Sequence, residues 1–335
     1  MAPKDRSSNV RETALRLLDS PLHPVPRFRI IRDILHVPNK DSEYRAAREE
    51  VCNTRFAKEL GESQEKNGTW GRFHTQDTRA KKKFPTTEKA IERALAVGLD
   101  NEDRILKRTT EFIEAHLQGG ATWSDHPEKH DNPALWEYAI KAISAANLSL
   151  IDRDHPLVAE QAQRFAGAAK EAFRTENYDR DKELQFHVKA SGIESRSHGS
   201  CLTKYGLLLL SSKDCLLPGQ VETRLLDFVL HKEDGIYYTY GGCLQDPPLV
   251  RERHFPRWLA AHEILSRFVT WPALAEQAVR WIWEQQNENG LWDFGGNTPR
   301  DNYFPLSDNW KRKTNRAIDC SVRTLILLNR FYEKR

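Results

Sequence analysis

Gln64-Glu65-Lys66-Asn67-Gly68-Thr69-Trp70 and Gln286-Asn287-Glu288-Asn289-Gly290-Leu291-Trp292 share one spelling, Q-x-x-x-G-x-W, and each follows a stretch of helical pattern. Weaker echoes lie between them, in which a polar or Gly-containing turn closes on one large aromatic: His116 to Trp123, Phe173 to Tyr178 and His231 to Tyr237. The aromatic landmarks at 70, 123, 178, 237 and 292 are separated by 53, 55, 59 and 55 residues. Spacing near 55 along the whole chain is the signature of a repeat architecture.

Each repeat reads in one order. A striped helix comes first, as in Arg104 to Leu117, where Ile105, Leu106, Thr109, Phe112, Ile113, His116 and Leu117 keep to one face. Val221 to His231 and Leu274 to Gln286 behave alike. The landmark turn and a loop follow, then a second helix that is more apolar: Thr86 to Val97, Leu202 to Leu210, Trp258 to Phe268 and Ala317 to Phe331. A helix that is apolar on most sides is buried on most sides. Striped and greasy helices in alternation predict an all-α fold with two concentric layers. The expected fold is a single (α/α)6 toroid over residues 1–335, built from six helix pairs of about 55 residues. Residues 1–60 form a less regular first unit, in which Pro21, Pro24, Pro26 and Pro38 are expected to break the chain into short helices. The last helix is among the most apolar, whereas an open solenoid ends in polar caps; that favours closure of the last unit on the first.

The two Q-x-x-x-G-x-W turns resemble the QW repeats of squalene and oxidosqualene cyclases. The alternating layers resemble the α/α toroid of terpenoid cyclases and protein prenyltransferase β subunits. The resemblance implies structural work for Gln64, Trp70, Gln286 and Trp292, with the Gln capping a helix end and the Trp stacked on the turn. Asp319-Cys320-Ser321 is similar to the stretch that carries the acid in oxidosqualene cyclases.

The 335 residues are 39% hydrophobic and 30% charged, with a net charge of +3, so the total does not describe a strongly basic nucleic-acid binder. No apolar run approaches the roughly 20 residues a membrane span needs. Met1 to Arg16 shows no apolar signal region, and the five cysteines form no C-x-x-C pair; a cytoplasmic protein with reduced thiols is expected.

In a toroid the landmark turns gather at one rim. Two rim loops are long, 237–256 and 293–313, and loops of that length usually serve a function. Basic residues cluster on the rim: Arg72, Arg79, Lys81, Lys82 and Lys83 on the first loop, Arg251, Arg253 and Arg257 on the fourth, and Arg300, Lys311, Arg312, Lys313 and Arg316 on the last. Together they would attract an anion. Acid–base candidates fall on the same loops: Asp319, Asp308, Asp125, Glu128, Glu88 and His74. Glu88 after Thr86 and Thr87 also reads as a helix cap, and Asp319 as a buried group paired with Arg316. His126 and His130 lack a third ligand, so no metal site is expected. Trp136, Tyr238, Tyr240, Trp258, Tyr303 and Trp310 are expected to line the cavity, with Arg257, Lys313 and Arg316 holding the anionic group.

The first expectation is an enzyme resembling terpenoid cyclases. A buried carboxylic acid, Asp319 first, would start chemistry on an anionic, partly apolar isoprenoid-type substrate, with no cofactor beyond Mg²⁺ if a diphosphate is held. The alternative is a carbohydrate-active enzyme, since single helical rings also resemble glycoside hydrolases and polysaccharide lyases; a carboxylate pair would then hydrolyse, or a His or Tyr would drive β-elimination. The third is a non-catalytic binding protein on the same scaffold. All three take a small-molecule or oligosaccharide partner rather than nucleic acid or a membrane.

Overall fold

The computed structural model describes residues 3–76, 82–125, 132–193, 199–296 and 305–335. Among them the chain is all-α: α1 (Pro3–Leu18), α2 (Pro24–Asp33), α3 (Ser42–Cys52), α4 (Arg55–Ser63), α5 (Thr87–Val97), α6 (Arg104–Leu117), α7 (Pro133–Ile151), α8 (Pro156–Ala172), α9 (Arg180–Ser191), α10 (Lys204–Leu210), α11 (Gly219–His231), α12 (Phe255–Leu265), α13 (Trp271–Leu274), α14 (Glu276–Glu284) and α15 (Lys313–Glu333). The only extended pairing among these residues is the isolated bridge between Ile236 and Tyr240. No described helix is long and apolar enough to cross a membrane.

The striped pattern places α6 as expected, with Leu106, Thr109, Ile113 and His116 on its buried face. Pro24 opens α2 rather than breaking it, because a residue at the first helical position has no intrahelical use for its N–H. Caps fix several starts. Asn132 accepts the Ala134 N–H at 2.9 Å before α7, and Asp179 accepts the Lys182 N–H at 3.1 Å before α9.

The two Q-x-x-x-G-x-W turns share their hydrogen bonds. Gln64 Nε2 donates to the Gly68 carbonyl and Gln286 Nε2 to the Gly290 carbonyl, each at 2.9 Å. Both glycines sit at positive φ, +88° and +66°. At Gly68 a Cβ would also lie 2.3 Å from the Arg108 carbonyl oxygen. Each indole turns back ten residues, Trp70 Nε1 to the Leu60 carbonyl at 3.1 Å and Trp292 Nε1 to the Ile282 carbonyl at 2.7 Å. Each Trp N–H then finds a hydroxyl on a greasy helix, Thr87 Oγ1 of α5 at 3.0 Å and Ser321 Oγ of α15 at 2.9 Å. These contacts are structural, and both indoles are buried.

The chain forms two compact units. One gathers Met1–Glu59, Ala96–Gly98 and Gly242–Arg335; the other gathers Leu60–Leu95 and Leu99–Gly241. In the first, α15 packs on α1 and α2. It contributes Val322, Leu325, Leu327, Leu328 and Phe331 to a core shared with Phe28, Ile31, Trp258 and Trp271. In the second, α10 packs on α7 and α8, and every residue of α10 is buried. Gly167 lets α8 meet α9 closely, since a Cβ there would reach Phe186 at 2.3 Å.

Candidate functional site

The most concentrated chemistry in the second unit stands where α5 and α10 begin. Glu88, in the first turn of α5, and Lys204, at the first position of α10, are both buried. The Lys204 ammonium lies 2.6 Å from Glu88 Oε1 and 2.6 Å from Glu92 Oε1, while Lys89 holds the other side of Glu92 at 2.7 Å. A lysine taken out of water requires such partners. Burial alone would raise the Glu88 carboxyl, but Lys204 and His74 outweigh it and hold it well below the usual carboxylate range. Burial alone would lower Lys204, yet Glu92 and Glu88 hold it above its ordinary value.

His74 completes the group. Its Nδ1 lies 3.0 Å from Glu88 Oε2 and 3.0 Å from the Tyr205 hydroxyl, which is itself 2.9 and 3.0 Å from the two Glu88 oxygens. Burial and the neighbouring Glu88 charge push the Tyr205 phenol well above its ordinary value, so it is a donor. With Glu88 ionised, both His74 and Tyr205 gain most by donating to it, because hydrogen bonds to a charged acceptor are the stronger ones. We therefore assign the His74 proton to Nδ1. Nε2 is then the nitrogen left with a lone pair, and no described residue bonds it.

Asp125 sets where His74 stands. It accepts the backbone N–H groups of Phe73 (2.5 Å), His74 (2.9 Å) and Thr75 (2.7 Å), and the Thr75 hydroxyl at 3.0 Å. From the other side comes the tight turn 236–240, in which Ile236 and Tyr240 exchange N–H···O bonds at 2.8 and 2.9 Å and the Lys204 N–H donates to the Tyr237 carbonyl at 3.2 Å. Tyr238 sits in this turn at φ +69°, an uncommon conformation for a bulky residue and one found at functional sites. Its ring lies 5.2 Å from the His74 ring and 5.3 Å from the Tyr205 ring. Tyr237 and Tyr238 are 66% and 52% exposed, and their rings lie 4.2 Å apart beside the His74–Glu88–Tyr205 group.

Of the residues singled out in the sequence, His74, Glu88, Asp125 and Tyr238 come together here. Asp319 lies in the first unit, fully buried. It accepts the N–H groups of Leu306 and Ser307 at 2.8 and 2.9 Å and the Ser307 hydroxyl at 2.5 Å, so it clamps the chain ahead of α15. Arg316 does not pair with Asp319; its fork holds Asp293 at 2.6 and 2.9 Å, because the loop after Trp292 returns to the start of α15. Asp308 is half exposed, beside His23 at 3.1 Å and Arg55 at 3.3 Å. Trp258 is a core residue: its Nε1 donates to the Leu244 carbonyl at 2.9 Å and its ring packs on Phe255, His262 and Trp281. Arg257 and Lys313 are exposed, and Trp136, Tyr240 and Trp310 are half-buried. Glu128, Tyr303, His126 and His130 lie outside the described residues, as do Arg79, Lys81 and Arg300.

Lys204 and Tyr205 were missed in the sequence, where they read as the opening of a greasy run. Glu183 was missed as well. Like Asp125 and Asp319 it is a buried carboxylate clamping a loop, through the Cys201 N–H at 2.6 Å, the Ser200 hydroxyl and the Tyr178 hydroxyl.

Two buried groups of the first unit oppose each other in acid. Burial pushes the Asp319 carboxyl up from 3.8 to about 6, despite its donors. The stability linked to it is therefore full below pH 3.8 and is lost as pH rises through about 6, a swing of about 3 kcal/mol. Burial lowers His262 from 6.5 to about 4. The nearby Leu244 carbonyl opposes this weakly, being engaged by Trp258. The stability linked to His262 is full above pH 6.5 and is lost as pH falls through about 4, again about 3 kcal/mol. Asp319→Asn can still accept the two N–H bonds, so it should fold and leave the His262 effect exposed, with denaturant stability falling more steeply between pH 6.5 and 4 than in the wild type. His262→Phe should do the reverse. Parallel pH curves for all three proteins would contradict both assignments.

Comparison with protein-family models, with curated proteins and with solved structures finds no match to this chain.

Proposed function

We propose that the chain is a carbohydrate-active enzyme that cleaves uronate-containing glycans by β-elimination at the His74–Glu88–Tyr205 group. His74 Nε2 takes the proton α to the uronate carboxylate, and the electron pair forms the C4=C5 double bond. The C4–O glycosidic bond breaks, and the leaving oxygen takes a proton from a tyrosine hydroxyl, with Tyr238 the exposed phenol beside the base. Glu88 fixes the imidazole tautomer and balances the charge that His74 gains. Tyr237 and Tyr238 offer flat faces for sugar rings. The observation that carries this reading is His74 Nδ1 held 3.0 Å from an ionised Glu88 beside two exposed tyrosines.

Acid-initiated isoprenoid chemistry draws less support, because Glu88 is held as an anion and Asp125 and Asp319 are occupied by loop N–H groups. The sequence-level frame, six helix pairs in an α/α toroid, is part of the proposal. It is supported by the matched chemistry of the two Q-x-x-x-G-x-W turns and by the packing of α15 on α1.

The test is incubation with a panel of polyuronates, followed by the ultraviolet absorbance of the unsaturated product, beside a panel of prenyl diphosphates. Unsaturated uronate from the wild type supports the reading. Turnover of a prenyl diphosphate with none of any polyuronate would overturn it.

A further inference from the structure

Two arginines of this chain pair with a carboxylate through the Nε–Nη2 edge of the guanidinium. Arg316 puts Nε and Nη2 on the two oxygens of Asp293 at 2.6 and 2.9 Å, and Arg323 puts the same two nitrogens on Glu263 at 2.6 and 2.7 Å. This is the bidentate fork that matches a carboxylate. Arg164, in the middle of α8, presents the same edge differently. Its Nε and Nη2 are sequestered from solvent, and among the described residues they have neither a hydrogen-bond partner nor a carboxylate within ion-pair distance.

The guanidinium is not loose. Its Cζ stands 3.8 Å over the ring of Tyr138 on α7 and 5.5 Å from the Phe165 ring. The Tyr138 hydroxyl is tied to His187 Nδ1 of α9 at 3.1 Å, so the stacking surface is itself held in place. One turn before Arg164 on α8, Gln161 Oε1 is also buried without a donor among the described residues. Residues three apart on a helix share a face, which puts this acceptor on the same side of α8 as the fork. Burial holds the Arg164 guanidinium below its ordinary value, and Tyr138 and Glu160 only partly offset this. A sequestered cation with unused donors is expensive unless something completes it.

We propose that Arg164, with Gln161 beside it and Tyr138 beneath it, forms a binding subsite for a carboxylate-bearing, hydroxylated ligand of the sugar-acid class, the fork taking the carboxylate and Gln161 Oε1 a hydroxyl. The assignment stands on α7, α8 and α9 of the second unit and does not use His74.

The test is a thermal-shift titration of the full chain with glucuronate, acetate, glucose and inorganic phosphate. Glucuronate should raise Tm in a saturable way, acetate more weakly, and glucose not at all. In Arg164→Met the half-saturating glucuronate concentration should rise at least tenfold, while ligand-free Tm should equal or exceed that of the wild type because an uncompensated buried cation has gone. Arg164→Lys, which keeps charge and loses the fork, should also weaken glucuronate. His74→Ala should titrate like the wild type, which separates this subsite from the proposed reaction centre. Equal response of the wild type to glucuronate and glucose would overturn the proposal, as would Arg164→Met titrating like the wild type or protection by phosphate alone. Should both Arg164 variants melt too low to titrate, Gln161→Leu takes their place, and an unchanged half-saturating glucuronate concentration in it would overturn the proposal.

Discussion

Lys204→Met should lower the unfolding free energy by about 3–5 kcal/mol at neutral pH, the range for removing one partner of a buried ion pair. The size follows from what remains. Glu88 and Glu92 each sit 2.6 Å from the ammonium, and Glu88 is almost fully buried, so the substitution removes the charge that holds the two carboxylates together. The loss should shrink as pH falls. Glu88 is held ionised in the wild type well below its ordinary 4.5, so the stability linked to it is present above 4.5 and is lost as pH drops through the lower folded value. The variant lacks that contribution from the outset, and protonation relieves its repulsion. Urea unfolding at neutral and acidic pH measures both effects. A difference under about 1 kcal/mol would mean that the pair behaves as a screened surface bridge.

His74→Ala should reduce kcat on a cleaved polyuronate by about 10²–10⁴-fold, the usual contribution of a positioned general base, with KM little changed. Stability should change far less than in Lys204→Met, because Glu88 keeps Lys204 and the Tyr205 hydroxyl as partners. Glu88→Gln should also lower kcat, through the tautomer and charge of His74, and should displace the pH profile; a merely structural role would not move that profile. Activity of His74→Ala within threefold of the wild type would remove the imidazole from the reaction.

Much of the helical pattern was legible. Arg104–Leu117 is bounded in the sequence by its own stripe, and the shared spelling around Gly68 and Gly290 reports a backbone that only one chemistry satisfies. Helices α7, α8 and α9 were less legible. In α7 the residues from 142 to 149 are all buried, so no polar face marks its period. In α9 the buried residues are Glu183 and His187, which no apolar stripe announces. Half of the candidate site was legible too. His74 and Glu88 stood out because they flank a landmark turn and a helix start. Their partners Lys204 and Tyr205 lie more than a hundred residues away, and only tertiary packing brings them in. One signal was available: a lysine opening the run Lys204–Leu210 must be buried with it, and a buried lysine requires an acid. Asp319 misled for the converse reason. A carboxylate inside the most apolar helix is conspicuous, yet backbone N–H groups, which no sequence pattern displays, account for it.

The proposed reaction requires an imidazole whose proton is turned inward to Glu88 and whose lone pair is free on Nε2. Two-bond proton–nitrogen NMR of uniformly ¹⁵N-labelled protein, with His74→Gln used to assign the signal, reads that arrangement without any substrate. At neutral pH His74 should show a protonated Nδ1 and a bare, pyridine-like Nε2. A protonated Nε2 with a bare Nδ1, accepting from Tyr205 instead, would leave no lone pair on Nε2 and would contradict the account.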